Sequence, residues 1–357
     1  MNQILAYESN AIVELMAVLP PDRDEEWLKN ALQQAIMVEV ATIGPYASAL
    51  WSIREGSGPV YDAIRRVIFD EMTHMGLVCN MLTSIGGSPV IADPKVVPKY
   101  ERPLPGGVRP ELIVFLEGLS KASVEMFSEI ERPDQPVAQS ESFTTIGAFY
   151  TAVEEAFEKH QHLIKGTRQV DFPMAHHGEG NDIVPLGTIE KVRDAIDIIK
   201  EQGEGTSTSP ENPFPENSGE LAHFYVFREL FHGKKLIKIS ESPDVWDYAG
   251  DEIPLPPAHP MGRVPQGGWA NDEQNVPSPE VQQALDAFNT EFSSMLRTLE
   301  RAWQADDPNT ATQHVRAAVG HMFRMSPKAR ALMTLELPDG SGKTYGPEFL
   351  YTEEPET

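Results

Sequence analysis

Apolar residues recur along this chain at intervals of three and four and seldom alternate, so the pattern predicts helices rather than strands. The first strong stripe covers 26–55, with Leu28, Leu32, Ala35, Ile43, Tyr46 and Leu50 on one face and Pro45 as an expected kink. Ser57 stands where a cap belongs, Pro59 falls in the first turn of the next helix, and Gly86-Gly87 ends it. Further stripes cover 110–131 (through Phe115, Leu119, Met126 and Ile130), 144–165 (through Phe149, Val153 and Phe157) and 187–202 (through Val192, Ile196 and Ile199). A helix over 219–233 follows the polar, Pro-rich stretch 206–217, and two more, about 280–304 and 308–334, follow later. The intervening 241–279, rich in Pro, Gly and Trp, reads as an irregular wrap over the core.

The expected fold class is therefore all-α: a helical bundle with long crossover segments and additional C-terminal helices. Residues 1–240 would form the bundle, and 241–357 a covering segment and a helical hairpin packed on the same core.

Composition narrows the partners more than the fold. The 357 residues carry 54 acidic against 29 basic side chains, a net charge of −25, and such a surface repels nucleic acid and anionic lipid. No apolar run approaches the ~20 residues that span a bilayer. The opening residues include Glu8 and Glu14 and lack the basic start of a signal peptide. The single cysteine, Cys79, cannot form an internal disulfide. The expectation is a cytoplasmic protein without nucleic-acid or membrane partners, acting on a small molecule, as a homo-oligomer or beside a biosynthetic partner enzyme.

Charge inside the apolar stripes is what points to chemistry. In "FDEMTHMGLVCNMLTSIGGSP", Glu71 and His74 stand three apart on the stripe 64–67–71–74–78–82–85, so both face the bundle interior. Burying an unpaired carboxylate costs several kcal/mol or forces it to take up a proton, so a partner is required. Glu39 behaves likewise, four past Ala35 and four before Ile43. A Glu from one helix and Glu-x-x-His from another is the ligand pattern of carboxylate-bridged di-metal bundles, and hard carboxylates with imidazole suit iron or manganese. A second Glu-x-x-His, Glu220 and His223, lies in "GELAHFYVFREL"; His223 shares a stripe with Val226, Phe227 and Leu230, whereas a glutamate in a first turn is also favoured by the helix dipole. Glu204, between glycines in "QGEGT", is a further candidate, with Glu154 in reserve. These groups could hold one ion or two. The alternative is a set of buried Glu–His hydrogen bonds that only shape the core. Val38, Tyr46, Met75, Phe224 and Phe227 are expected to wall a substrate pocket under 241–279. The "DGSGKTYGP" run is no phosphate loop, because the position of its first glycine is Leu337, and the pair His176-His177 reads as a surface turn.

The stretches "AIMVEVATIGPYASALWSI", "FDEMTHMGLVCNMLTSIGGSPV", "FSEIERP", "IIKEQGEG", "ELAHFYVFREL" and "TYGPEFLY" together resemble the ferritin-like domain of the iminophenylpyruvate dimer synthase type. That domain is also found in the enzymes that couple two oxidised tryptophan units in violacein and rebeccamycin biosynthesis. The resemblance runs from about residue 26 to 351 with the motifs in order. It implies a ferritin-like bundle and Glu39, Glu71, His74, Glu204 and His223 as metal ligands, with Glu220 beside them. It also implies an iron-dependent oxidoreductase acting on a small, amino-acid-derived molecule in secondary metabolism. Manganese in place of iron, a haem-bound form using His314 or His321, and a non-catalytic ferritin-like scaffold are the alternatives.

Overall fold

A computed structural model describes residues 6–133, 146–174, 182–204, 209–212, 219–242 and 244–353, with Glu204 described by its backbone alone. Among these residues are nine α-helices and one two-stranded sheet. The helices are α1 (Ala11–Ala17), α2 (Glu25–Ser52), α3 (Pro59–Ser84), α4 (Lys121–Ile130), α5 (Ile146–Lys159), α6 (Ile189–Glu204), α7 (His223–His232), α8 (Pro279–Gln304) and α9 (Pro308–Leu332). The antiparallel strands β1 (Ile237–Glu241) and β2 (Asp244–Asp247) form an exposed hairpin after α7.

The long helices begin where local chemistry stops the chain from fraying. The Asp24 side chain accepts from the Trp27 N–H at 2.9 Å, satisfying an otherwise orphaned donor of α2, and Glu25 and Glu26 fill its first turn. Ser278 and Asp307 cap α8 and α9 in the same way, each followed by a proline at the first helical position. The expected Ser57 cap is not used: Gly58, at φ 108°, is the N-cap of α3 and makes no side-chain cap bond. Helix α2 runs through Pro45 to Ser52 and is apolar nearly all round, as suits a helix enclosed on every side.

Helix α2 packs against α3, α4 against α7, α5 against α6, and α8 against α9. The short link between α2 and α3 makes them antiparallel neighbours. One continuous apolar core joins all of these pairs, from Leu28 and Leu32 of α2 to Leu285 and Phe288 of α8 and Ala329 of α9. Three expected helices are shorter than their stripes, one of them α5, which ends at Lys159 rather than 165. Residues 110–120 are not helical, and α4 starts only after Ser120, which forms a capping box with Ser123. Helix α7 starts at His223 rather than 219, because Leu221 bridges to Glu211 and the Asn212 N–H donates to the Glu220 carbonyl at 2.8 Å, holding that stretch extended.

The "TYGPEFLY" motif is a clasp. Glu348 accepts from the Trp269 backbone N–H at 2.6 Å and from Asn289 Nδ2 at 2.9 Å, tying the covering segment to α8. Phe349, held at φ 52°, stacks parallel to Trp51 of α2 and meets Phe288 and Phe292 edge-on. The His176-His177 pair and most of 206–217 lie outside the described residues. Among the described residues, no helix is long and apolar enough to cross a membrane.

Candidate metal centre

Glu39 of α2 and Glu71 and His74 of α3 meet in the middle of the bundle, each at most 4% exposed. His74 Nδ1 lies 3.7 Å from Glu39 Oε2 and 3.5 Å from Glu71 Oε1. The other ring nitrogen, Nε2, is 2.7 Å from Gln202 Oε1 on α6. An amide oxygen can only accept, so this contact places a proton on Nε2 and leaves Nδ1 facing the two carboxylates, as a lone pair when the ring is neutral. The Tyr150 hydroxyl of α5 donates to Glu39 Oε1, and Thr42 Oγ1 stands 2.8 Å from Glu71 Oε2.

A second set faces the first across Glu71. His223, the first residue of α7, brings Nδ1 to 3.0 Å from Glu71 Oε1 and 3.8 Å from Glu131 Oε2, while its Nε2 lies 3.1 Å from Asp70 Oδ2. Glu131 is the residue that ends α4, and the Tyr46 hydroxyl donates to its Oε1. Beneath it Tyr46, Phe127 and Phe227 pack with ring centroids 4.7–5.2 Å apart, which fixes that hydroxyl. The ligand atoms of Glu39, Glu71 and His74 lie within 4.8 Å of one another, and so do those of Glu71, Glu131 and His223. The pattern is two carboxylate–histidine sets sharing Glu71. In each set the outer carboxylate is held by a tyrosine and the histidine by a polar group behind it.

The five groups titrate against one another. Burial raises the carboxyls of Glu39 and Glu131, and the Glu71 charge raises them further. Burial would raise Glu71 too, but its contacts with His223 and His74 outweigh this and hold it below the ordinary carboxylate range. Burial works against a charged imidazole at His74 and His223, yet the surrounding carboxylates raise both, His74 to about 10. The His223 Nδ1 atom is buried and, despite its 3.0 Å approach to Glu71, has no partner with hydrogen-bond geometry. Once the two rings give up their Nδ1 protons, as metal binding requires, two imidazoles and three carboxylates direct lone pairs into one region, and this donor set fits one or two divalent ions of the iron or manganese kind.

Beside the carboxylates is a cavity of about 30 Å³, lined by Val38, Ile130, Ile146, Tyr150, Ile199 and Lys200 together with Glu39, Glu71, His74 and Glu131. It has room for water or a diatomic molecule and not for an organic substrate. Of the expected wall only Val38 lines it; Tyr46, Met75, Phe224 and Phe227 do not, nor does any described residue of 241–279.

Of the residues singled out in the sequence, Glu39, Glu71, His74 and His223 are brought together. Glu220 is not. It precedes α7 in the extended stretch, so it is not one helical turn from His223; its side chain is 39% exposed and pairs with Arg66 at 3.4 Å. The Glu204 side chain lies outside the described residues. His321 is tied to Glu291 at 2.6 Å, and His314 sits with it on α9, away from the cluster. Sequence reasoning missed Glu131, although Val124, Phe127 and Glu131 are spaced as one helical face.

A family model described as Ferritin-like matches residues 32–232, a span that includes all five clustered residues. The fold is similar to that of a ferritin-like protein from Caulobacter vibrioides, with a TM-score of 0.61 and 19% sequence identity over 91% of this chain and 97% of that one. At that identity the likeness speaks for the fold alone. A comparison with curated protein sequences gives no match.

Proposed function

The chain belongs to the ferritin-like family, and from that premise we propose that Glu39, Glu71, His74, Glu131 and His223 form a di-iron centre serving an oxidoreductase. The observation that carries this reading is the convergence of two imidazole lone pairs on one shared carboxylate, with the outer nitrogen of each ring already engaged. Glu39 and His74 would hold one ion, Glu131 and His223 the other, and Glu71 would bridge them. Glu204, on the last residue of α6, is a further candidate.

Bound there, iron would supply one-electron chemistry with dioxygen or peroxide. The protein's part is definable from its own side chains. Three carboxylates offset the positive charge, Tyr150 and Tyr46 aim the outer pair, and Gln202 and Asp70 fix the imidazole orientation. The small cavity, with Val38, Ile130, Ile146 and Ile199 opposite the polar groups, has room for the oxidant and too little for bulk water. The substrate class implied by the resemblance to the iminophenylpyruvate dimer synthase type is a small amino-acid-derived molecule, which would have to react from outside this cavity.

A non-catalytic scaffold is the second reading, and the small size of the cavity favours it. Metal analysis of protein from iron-supplemented cells, followed by oxygen-uptake measurements on the ferrous form, separates the two. About two irons per chain and uptake that vanishes in Glu71→Gln support the enzyme. Bound iron without uptake of oxygen or peroxide supports the scaffold. Trace metal of every kind, with a melting temperature unmoved by chelators, removes the metal centre itself.

A further inference from the structure

A larger cavity of about 230 Å³ lies on the adjoining face of α2 and α3, where the C-terminal hairpin α8–α9 covers them. Its wall takes residues from both parts of the chain: Ile43 and Ala47 of α2, Ile68 of α3, Phe292 of α8 and Val315 of α9. Six of the chain's thirteen methionines line it, namely Met72, Met75, Met174, Met295, Met322 and Met325. Unbranched thioethers adapt their shape to a guest, which is why methionine is favoured at surfaces that bind variable apolar ligands. An enclosed apolar space of about 150 Å³ already accepts benzene, so this one has room for a larger ring system or a short alkyl chain.

The lining is apolar apart from a few groups, and one of them carries a full charge. Arg65 of α3 is half-buried, lies over the Phe69 ring at 5.3 Å, and has no ion-pair partner among the described residues. In a chain with net charge −25, a cation at an apolar cavity without a carboxylate partner is out of character. The opening is marked by the exposed lining residues: Phe323 is 74% exposed, and Tyr61 and Met322 are half-exposed.

We propose that this cavity binds a small amphiphile, an aromatic or short aliphatic body seated among the methionines with a carboxylate paired to Arg65. The site is separate from the metal centre, since none of Glu39, Glu71, His74, Glu131 or His223 lines it. It does not rest on the oxidoreductase reading.

Isothermal titration of the full chain with 2-naphthoate tests this, with neutral 2-naphthol as the control and iron content measured on the same samples. The expected result is saturable binding at one site per chain, tighter for the anion, with the negative heat-capacity change of apolar burial. Arg65→Leu should weaken 2-naphthoate about tenfold and leave 2-naphthol unchanged. Met322→Trp, which fills the opening from a half-exposed position, should weaken both at least about tenfold, with iron content unaltered in each variant. No saturable binding, or binding indifferent to both substitutions, overturns the site. Equal affinity for anion and phenol overturns the role of Arg65. A dimer that forms through Phe323 and closes the opening to both probes overturns the proposal in favour of a second copy as occupant. Loss of iron with naphthoate binding intact would instead count against the metal centre alone.

Discussion

The two sides of the carboxylate cluster use the same parts on different supports. Glu39, Glu71 and His74 stand in the interiors of α2 and α3, helices of 28 and 26 residues whose backbones are satisfied for several turns either way. Glu131 and His223 sit at the ends of two ten-residue helices, one just past the last turn of α4 and the other opening α7. The first side is positioned by helix geometry. The second is positioned by tertiary contacts: the Tyr46–Phe127–Phe227 packing beneath Glu131 and the Asp70 carboxylate behind His223. Chains with the same donor set can thus place half of it by local sequence and half by packing. The second half should be the easier to disturb.

Glu71 belongs to both halves, so its removal should have the largest effect. In Glu71→Gln the bridging negative charge is lost while size and burial are kept. Iron content should fall from about two per chain to near zero, with helix content by circular dichroism unchanged. Retention of full iron would mean that the two sets do not share a bridging carboxylate.

Removing one outer carboxylate separates the halves. Glu39→Gln should leave the ion beside His223, and Glu131→Gln the ion beside His74, each giving about one iron per chain. The tyrosine behind each carboxylate sharpens the comparison. Tyr46→Phe should loosen the Glu131 side more than Tyr150→Phe loosens the Glu39 side, because Glu39 is also held by its place within α2. Equal losses in the two tyrosine variants would contradict the contrast between helix-positioned and packing-positioned ligands.

The contrast explains what the sequence disclosed. Glu39, Glu71 and His74 interrupt apolar stripes inside long helices, where period alone tells which face they occupy. His223 was legible for the same reason, since it begins a helix whose stripe continues through Val226, Phe227 and Leu230. Glu131 was hidden by a boundary. Extending the third helix back to 110 puts weight on Leu112, Phe115 and Leu119, residues that lie before α4 begins, and draws attention from the face of Val124 and Phe127 that Glu131 continues. Glu220 failed in the opposite direction. A Glu-x-x-His spacing has meaning only on a helix, and the bridge of Leu221 to Glu211 keeps that stretch extended. The all-α class followed from the three-and-four periodicity, whereas the small β1–β2 hairpin, which runs into the expected irregular segment 241–279, did not, because its exposed residues carry no buried alternation.

A smaller difference separates the groups behind the two histidines. His223 faces the carboxylate of Asp70, whereas His74 faces the neutral amide of Gln202. A charged acceptor makes the imidazole a stronger donor to a metal, and outer partners of this kind are worth about 10–100-fold in metal affinity. Asp70→Asn should therefore cost the His223 side about that much, and Gln202→Ala only several-fold on the His74 side. Competition for iron against a chelator of known strength, measured in the Glu39→Gln and Glu131→Gln backgrounds, reads each side alone. A larger loss from Gln202→Ala would reverse the assignment of the more basic imidazole.

The smallest effect is expected where the sequence pattern was most suggestive. Glu220 lies three before His223, as Glu71 lies three before His74, and removing it tests whether spacing or structure decides. Its side chain is 39% exposed and meets Arg66 rather than the cluster. Burial raises its carboxyl, so the pairing with Arg66 does not fully offset the loss of water. Exposed ion pairs contribute at most about 1 kcal/mol. Glu220→Gln should then shift the melting temperature by no more than a few degrees and leave the iron content of both sides intact. Loss of iron from this variant, comparable to that in Glu131→Gln, would show that the 219–222 stretch refolds onto α7 when metal binds. It would also restore the second Glu-x-x-His as a ligand pair.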